Sequence, residues 1–351
     1  MKISKFLLSI FVLSILFVSC DDDDEPQLPK GDYENGIIIS GEGTGASSPS
    51  ITYVSDDFAT VEHQIYNKVN SKEFGTYLQS VAFDNERAFI VTDNQNTITV
   101  VDRYTFEELG TITTDLATPR YMTVVDEKGY VTNWGTTGAY VAEIDLTSYT
   151  VLSKTTISFG PERIIADGGK LYVSHKGGYG TNNVISVIDI ASKVVTEITV
   201  QDNPDELFID NSGDLVVLSE GAVQYDASWS VIGNTIGAIS KINTTTNTVD
   251  SEITFEEGVH PSLLASNGSD LYYAIGSKVF KMSSSDTALP TAEFIDTSAG
   301  YLYGMAVNNN NLFILDASFT AQSTMDIYSI SSGAKTTSVA APVAASKIYF
   351  N

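Results

Sequence analysis

Leu171-Tyr172-Val173-Ser174, followed by Ile185-Ser186-Val187-Ile188-Asp189, sits inside a segment that runs from Pro161 to Val200. Its plan is a proline, a short apolar strand, a turn, a second strand, a loop, a third strand ending Ile-Asp, a turn and a last strand. Working outward, the same plan recurs. Pro119 to Ile157 carries Tyr130-Val131-Thr132-Asn133 and then Val141-Ala142-Glu143-Ile144-Asp145. Tyr77 to Thr114 carries Ala88-Phe89-Ile90-Val91-Thr92 and then Ile98-Thr99-Val100-Val101-Asp102. Pro204 to Phe255 carries Leu215-Val216-Val217-Leu218 and then Ala238-Ile239-Ser240-Lys241-Ile242. Pro261 to Ile295 and Tyr301 to Val339 are looser copies. A period of about forty residues with four strands per copy marks a β-propeller. No amphipathic helix of useful length interrupts the copies, which argues against βαβ folds.

The chain ends supply a further blade. Residues 36–67 hold three strand-like runs: Gly36-Ile37-Ile38-Ile39, Ser50-Ile51-Thr52-Tyr53-Val54 and Val61-Glu62-His63-Gln64-Ile65-Tyr66. They lack an opening strand. Pro342-Val343-Ala344-Ala345-Ser346-Lys347-Ile348-Tyr349-Phe350 has the pattern of an orphan one. The expectation is an all-β, seven-bladed propeller over 36–351 whose first blade is closed by the C-terminal strand, since closure removes the open sheet edge.

The chain has 351 residues, 42% of them hydrophobic, and a formal net charge of −25. That charge repels phosphate backbones and argues against nucleic acid as a partner. Cys20 is the single cysteine, so no intrachain disulfide or cysteine metal site can form. Lys2 and Lys5 precede an apolar run from Phe6 to Val18, shorter than a membrane span. Residues 1–19 read as a signal peptide. Phe17-Val18-Ser19-Cys20 resembles a lipobox, with Phe17 in place of the usual Leu, and implies lipidation of Cys20. Asp21-Asp22-Asp23-Asp24-Glu25 with Pro26 and Pro29 then gives a charged tether over 20–35. The expected membrane attachment is this lipid anchor alone.

In a propeller, the start of each inner strand and the loop between the second and third strands reach the same rim. The residues expected to bind a ligand there fall in two sets. Opening the inner strands are Arg120, Tyr121, Glu162, Arg163, Asp205, Glu206, His260, Tyr301 and Tyr303. On the middle loops are Trp134, Tyr140, His175, Tyr179, Tyr225 and Trp229. Gln79, Asn94, Asn96, Asn133, Lys176 and Phe319 share these positions. Aromatic side chains offer contact area at low entropic cost, and polar groups between them fix orientation. Trp134 and Trp229 could equally pack loops onto blades. Arg120 and Arg163 could pair with Glu162, Asp205 and Glu206.

No catalytic motif of the elbow, zincin or P-loop type is present, and no catalytic residue, metal site or cofactor is expected. Gly41-Glu42-Gly43-Thr44-Gly45 reads as a loop between strands. His175 and His260 with Glu162 leave an acid–base or metal cluster on the face open.

Tyr130-Val131-Thr132-Asn133 resembles the tetrapeptide that names YVTN-type propellers. Together with the lipobox, the acidic run, Gly41-Glu42-Gly43, Phe74-Gly75, Gln79-Ser80 and Thr118-Pro119-Arg120-Tyr121, it resembles the Bacteroidota surface lipoproteins that cap TonB-dependent transporters. That resemblance implies an outer-membrane, cell-surface location. It also implies capture of a small molecule, a corrinoid such as cobalamin, for a TonB-dependent vitamin B12 transporter. A protein-interaction propeller without a small ligand, and a propeller lactonase or lyase, are the alternatives.

Overall fold

The computed structural model describes residues 28–351. Seven four-stranded antiparallel sheets form the blades of a propeller. Blades 2 to 7 each use four strands in sequence order, in the segments read from the repeats. An added two-stranded hairpin, Val223–Tyr225 with Val231–Asn234, is inserted in blade 5. Blade 1 takes Gly36–Gly41, Ser50–Ser55 and Val61–Glu62 from the start of the chain and Ala345–Phe350 as its innermost strand. Ile37 pairs with Phe350 and Ile39 with Ile348, which closes the ring.

The expected third run of blade 1 is shorter than the sequence indicates. Only Val61–Glu62 is strand, and Ile65–Asn70 forms a short helix. Ile65 and Tyr66 point into the core there, with Tyr66 stacked on Phe74 at 4.1 Å. The short helix satisfies its own backbone while placing Ile65 and Tyr66 in the core.

The core is distributed between blades. Seven clusters of buried side chains each join two neighbouring sheets; one unites Phe89 and Val91 of blade 2 with Val131 and Ile144 of blade 3. Each blade is buried on both faces, so its middle strands are near-continuous apolar runs. The Ile-Asp element of the repeat is a turn device. Asp102 Oδ1 accepts from the Tyr104 and Thr105 amides, and Asp145 Oδ1 from Thr147 and Ser148. Such side-chain turns let the last two strands of a blade reverse tightly.

Inner strands begin at one face and end at the other. The starts at Pro119, Pro161, Pro204 and Ala345 share the first face. Gly36, the C-terminal Asn351 and the segment before Gly36 lie at the second. There Tyr33 donates its amide to the Tyr104 carbonyl, and the Asn351 amide side chain bonds the Tyr33 and Arg103 carbonyls. No helix among the described residues is long and apolar enough to cross a membrane. The expected signal peptide, the expected lipidation at Cys20 and the acidic run lie outside the described residues.

Candidate functional site

One backbone irregularity, repeated around the ring, builds the site. Near the start of each inner strand the ladder skips a residue. The residues displaced from pairing are Gln79 in blade 2, Arg120-Tyr121 in blade 3, Glu162-Arg163 in blade 4 and Asp205-Glu206 in blade 5. Leu263, Tyr303 and Ser346 are their counterparts in blades 6, 7 and 1. A bulge re-aims side chains that a regular strand would place in the sheet, and here it turns them into the central channel.

The Thr of Tyr130-Val131-Thr132-Asn133 fixes one of these bulges. Thr132 Oγ1 accepts from the Tyr121 amide at 3.0 Å and donates to the Glu162 carbonyl at 2.7 Å. Ser174 Oγ accepts from the Arg163 amide in the same way. The recurring hydroxyl of the repeat therefore shapes the site as well as the sheet.

The bulges surround an open cavity of about 720 Å³. Its lower wall meets a smaller chamber of about 140 Å³ farther down the channel, and Tyr121, Arg163, Leu263 and Lys347 border both. The charges are paired in a chain. Arg120 bonds Asp93 at 2.8 Å and Glu162 at 3.1 Å, with its guanidinium 4.3 Å from the Trp134 ring centre. Arg163 pairs with Asp205 at 3.4 Å and with Glu206, and lies 4.7 Å from the centre of Tyr121. Lys176 bridges Asp205 and Glu220, both at 2.9 Å.

Burial would raise the Asp205 carboxyl, but Lys176 and Arg163 overrule it and hold Asp205 well below the usual carboxylate range. Glu206 is raised, by burial first and by Asp205 second, against the pull of Arg163. Burial also raises Glu162 and Glu220. Two adjacent carboxyls on one bulge are thus pushed in opposite directions by their different shares of the same cations.

Aromatic groups frame the mouth. Trp134 donates Nε1 to the Pro161 carbonyl and meets the fully exposed Tyr179 edge to face at 5.3 Å. Across the ring, Tyr301, Tyr303 and Phe319 form a triad with centroids 5.2–5.6 Å apart, and Tyr303 donates its hydroxyl to Glu42. The loop bearing Lys176 and Tyr179 is seated by glycine: a Cβ on Gly160, at φ +64°, would overlap the Gly177 backbone.

The structure thus brings Arg120, Tyr121, Trp134, Glu162, Arg163, Asp205, Tyr301 and Tyr303 together around the large cavity, with Glu206 in the chamber below. Other expected residues lie elsewhere. His175 is fully buried, with Nδ1 facing the Phe159 carbonyl and Nε2 the Ser186 hydroxyl. Burial depresses it to about 4, and its two bonds tie the end of its strand to the Phe159 carbonyl and to Ser186. His260 is engaged by the Glu220 carbonyl and Asn234 Oδ1, which anchors the hairpin. Tyr140 donates to the Asp115 carbonyl away from the channel and packs under Lys154. Tyr225 and Trp229 pair at the hairpin tip, and Trp229 is 82% exposed. The hairpin rises from Glu220 at the cavity rim without lining the cavity.

Glu42, Glu220 and Lys347 line the cavity without having been singled out in the sequence. Glu42 sits inside the glycine-rich loop, read correctly as a connection between strands. Lys347 occupies the inner strand of blade 1, and its signal was the one charged residue in an otherwise uncharged closing strand. Among the described residues no cluster of three or more His, Cys, Asp or Glu side chains could hold a metal ion.

The fold and the ring of bulges define a β-propeller with a charged, aromatic-rimmed cavity on one face. Residues 35–350 match the family described as a domain of unknown function, DUF5074, and the chain belongs to that family. No curated protein sequence matches it. Solved structures that resemble it include a functionally unknown protein from Desulfotomaculum acetoxidans, at TM-score 0.65 and 13% identity, covering 90% of this chain and 98% of the other. A Bacteroides fragilis protein described as a "putative 6-phosphogluconolactonase" aligns at TM-score 0.62 and 16% identity over 93% of this chain and all of the other, 100%. Apo AztD from Citrobacter koseri aligns at TM-score 0.55 and 9% identity over 89% and 96% of the two chains. At these identities the likeness is one of fold.

Proposed function

We propose that this protein captures a large small molecule on the cavity face and does not turn it over. The observation that carries this reading is the cavity itself. A volume of about 720 Å³ lies within the usual range for ligand sites, and it opens beneath two aromatic groups with fixed charges between them. Arg120, Arg163 and Lys176 are each held by two carboxylates, and both candidate catalytic histidines are committed to structural bonds. Such a site is preorganised to orient a ligand and offers no free nucleophile–base pair.

The ligand proposed is a corrinoid, delivered from a lipid-anchored position at the outer-membrane surface to a TonB-dependent transporter. Support comes from the sequence resemblance and from the match of a broad, partly polar macrocycle to a wide mouth with Trp134 and Tyr179 on one side and the Tyr301 triad on the other. Calorimetric titration of cyanocobalamin and cobinamide into residues 28–351 tests it. One-to-one heats are expected; no heat with either ligand overturns the corrinoid assignment. A protein-interaction role is the second reading, favoured by the exposed Trp229, Val231 and Ile232 of the hairpin, and it gains if both titrations are silent.

A further inference from the structure

The cations of the cavity are not equivalent. Arg120, Arg163 and Lys176 are neutralised by carboxylates. Lys347 makes no ion pair and no side-chain hydrogen bond among the described residues. Its ammonium stands 5.8 Å from the centre of the Tyr303 ring, too far for more than a weak cation–π contact. A half-buried ammonium with three unused donors is costly unless an acceptor reaches it.

Its neighbour points the same way. Ser346, the bulged residue of the closing strand, is fully buried, and its hydroxyl has no hydrogen-bond partner. Ser346 and Lys347 line the same chamber of about 140 Å³, where a single water needs roughly 10–15 Å³. The other charged groups of that chamber, Arg163 and Glu206, satisfy each other. Tyr121 and Tyr349 add two hydroxyls. The chamber therefore offers a cation that meets its nearest carboxylates, Asp205 and Glu206, only through space, together with a surplus of donors, at the foot of a cavity whose other cations are each held by two carboxylates.

We propose that Lys347 and Ser346 form an oxyanion subsite, and that the captured molecule carries a phosphate-class group that descends from the rim into the chamber. This deepens the binding role proposed above and rests on it. Carboxylates outnumber cations around the channel, with Glu42, Asp93, Glu162, Asp205, Glu206 and Glu220 facing Arg120, Arg163, Lys176 and Lys347. A free anion is repelled by that excess and binds weakly; an anion delivered as one arm of a ligand already held at the rim gains effective concentration. A corrinoid bearing its nucleotide loop presents a phosphodiester, whereas cobinamide does not.

Two measurements test the subsite. First, inorganic phosphate is titrated into protein labelled with ¹³C-lysine, and the ε-methylene signal lost in K347Q is followed. A saturable shift of that signal is expected in the wild-type protein, weakened in S346A. A signal indifferent to phosphate overturns the proposal, whatever the ligand is. Second, cyanocobalamin and cobinamide are compared in wild type and K347Q. The substitution is expected to weaken cyanocobalamin at least tenfold more than it weakens cobinamide. Equal losses for both, or none, overturn the phosphate assignment. A phosphate response without corrinoid binding keeps the subsite and removes the corrinoid reading. K347Q is checked for a wild-type melting temperature, and K347M replaces it if it fails.

Discussion

His175 shows how a single buried residue can be read twice. Sequence places it on a loop that reaches the cavity rim; the structure seals it, with both ring nitrogens occupied. Burial lowers it from the usual imidazole range to about 4, so the native state resists protonating it. Between about 6.5 and 4 the unfolded chain binds the extra proton, and stability falls as pH drops through that window. The shift corresponds to roughly 3 kcal/mol at its full extent. Glu206 works in the opposite sense, because its raised carboxyl keeps its proton longer in the native state. The test is therefore a difference: the fall in melting temperature from pH 7 to pH 4.5 should be shallower in H175Q than in wild type. The two tryptophans separate as well. Trp134→Ala loses the bond to the Pro161 carbonyl and the stack with Arg120, so a loss of ~1–2 kcal/mol in stability is expected along with weaker ligand binding. Trp229→Ala removes an exposed ring, and thermal melts should show little change. Unchanged affinity in W134A would remove that residue from the site.

At the scale of elements, the closing strand and the hairpin have opposite weights. Ile348 and Phe350 pack into the interface between blades 7 and 1, and Tyr349 into that between blades 1 and 2. Deleting residues 342–351 should abolish the cooperative thermal transition measured by circular dichroism. Replacing Gln224–Gly233 by two glycines should leave the melting temperature within a few degrees, while weakening cyanocobalamin binding by about tenfold, ~1.4 kcal/mol, if the hairpin shields the bound ligand. The strands were legible because a four-strand plan repeats, and because Pro119, Pro161 and Pro204 mark three inner-strand starts. Half of the site was legible for the same reason: residues just after those prolines occupy the bulges. His175 was not, since its strand is buried at every position from Leu171 onward and alternation gives no direction to a side chain. Lys347 was not, because its strand pairs with residues some three hundred positions away, and no neighbouring repeat aligns with it. The helix at Ile65–Asn70 escaped notice because six residues are too few for a helical period to emerge.

Across the whole molecule, stability is shared among seven interfaces and depends on a ring with one seam. That seam is fastened by side chains as well as by strands: Asn351 bonds the Tyr33 carbonyl at 2.6 Å and the Arg103 carbonyl at 3.2 Å. Tyr33 and Asn351 are therefore adjacent, and a circular permutant of the described residues should fold. Joining Asn351 to Lys30 by a short glycine–serine linker and reopening the chain at the exposed Asp226–Ser230 turn should give a cooperative melt and unchanged ligand affinity. The same adjacency bears on the proposed delivery. Residues 28–35 leave from the back of the propeller, while the cavity opens at the front. Whatever moors the chain by its beginning holds it like a bowl fixed by its underside, with the contents facing away from the mooring. On the proposed delivery role, a receiving partner must therefore reach over to the face opposite the one where residues 28–35 depart, and meet the cargo from the front.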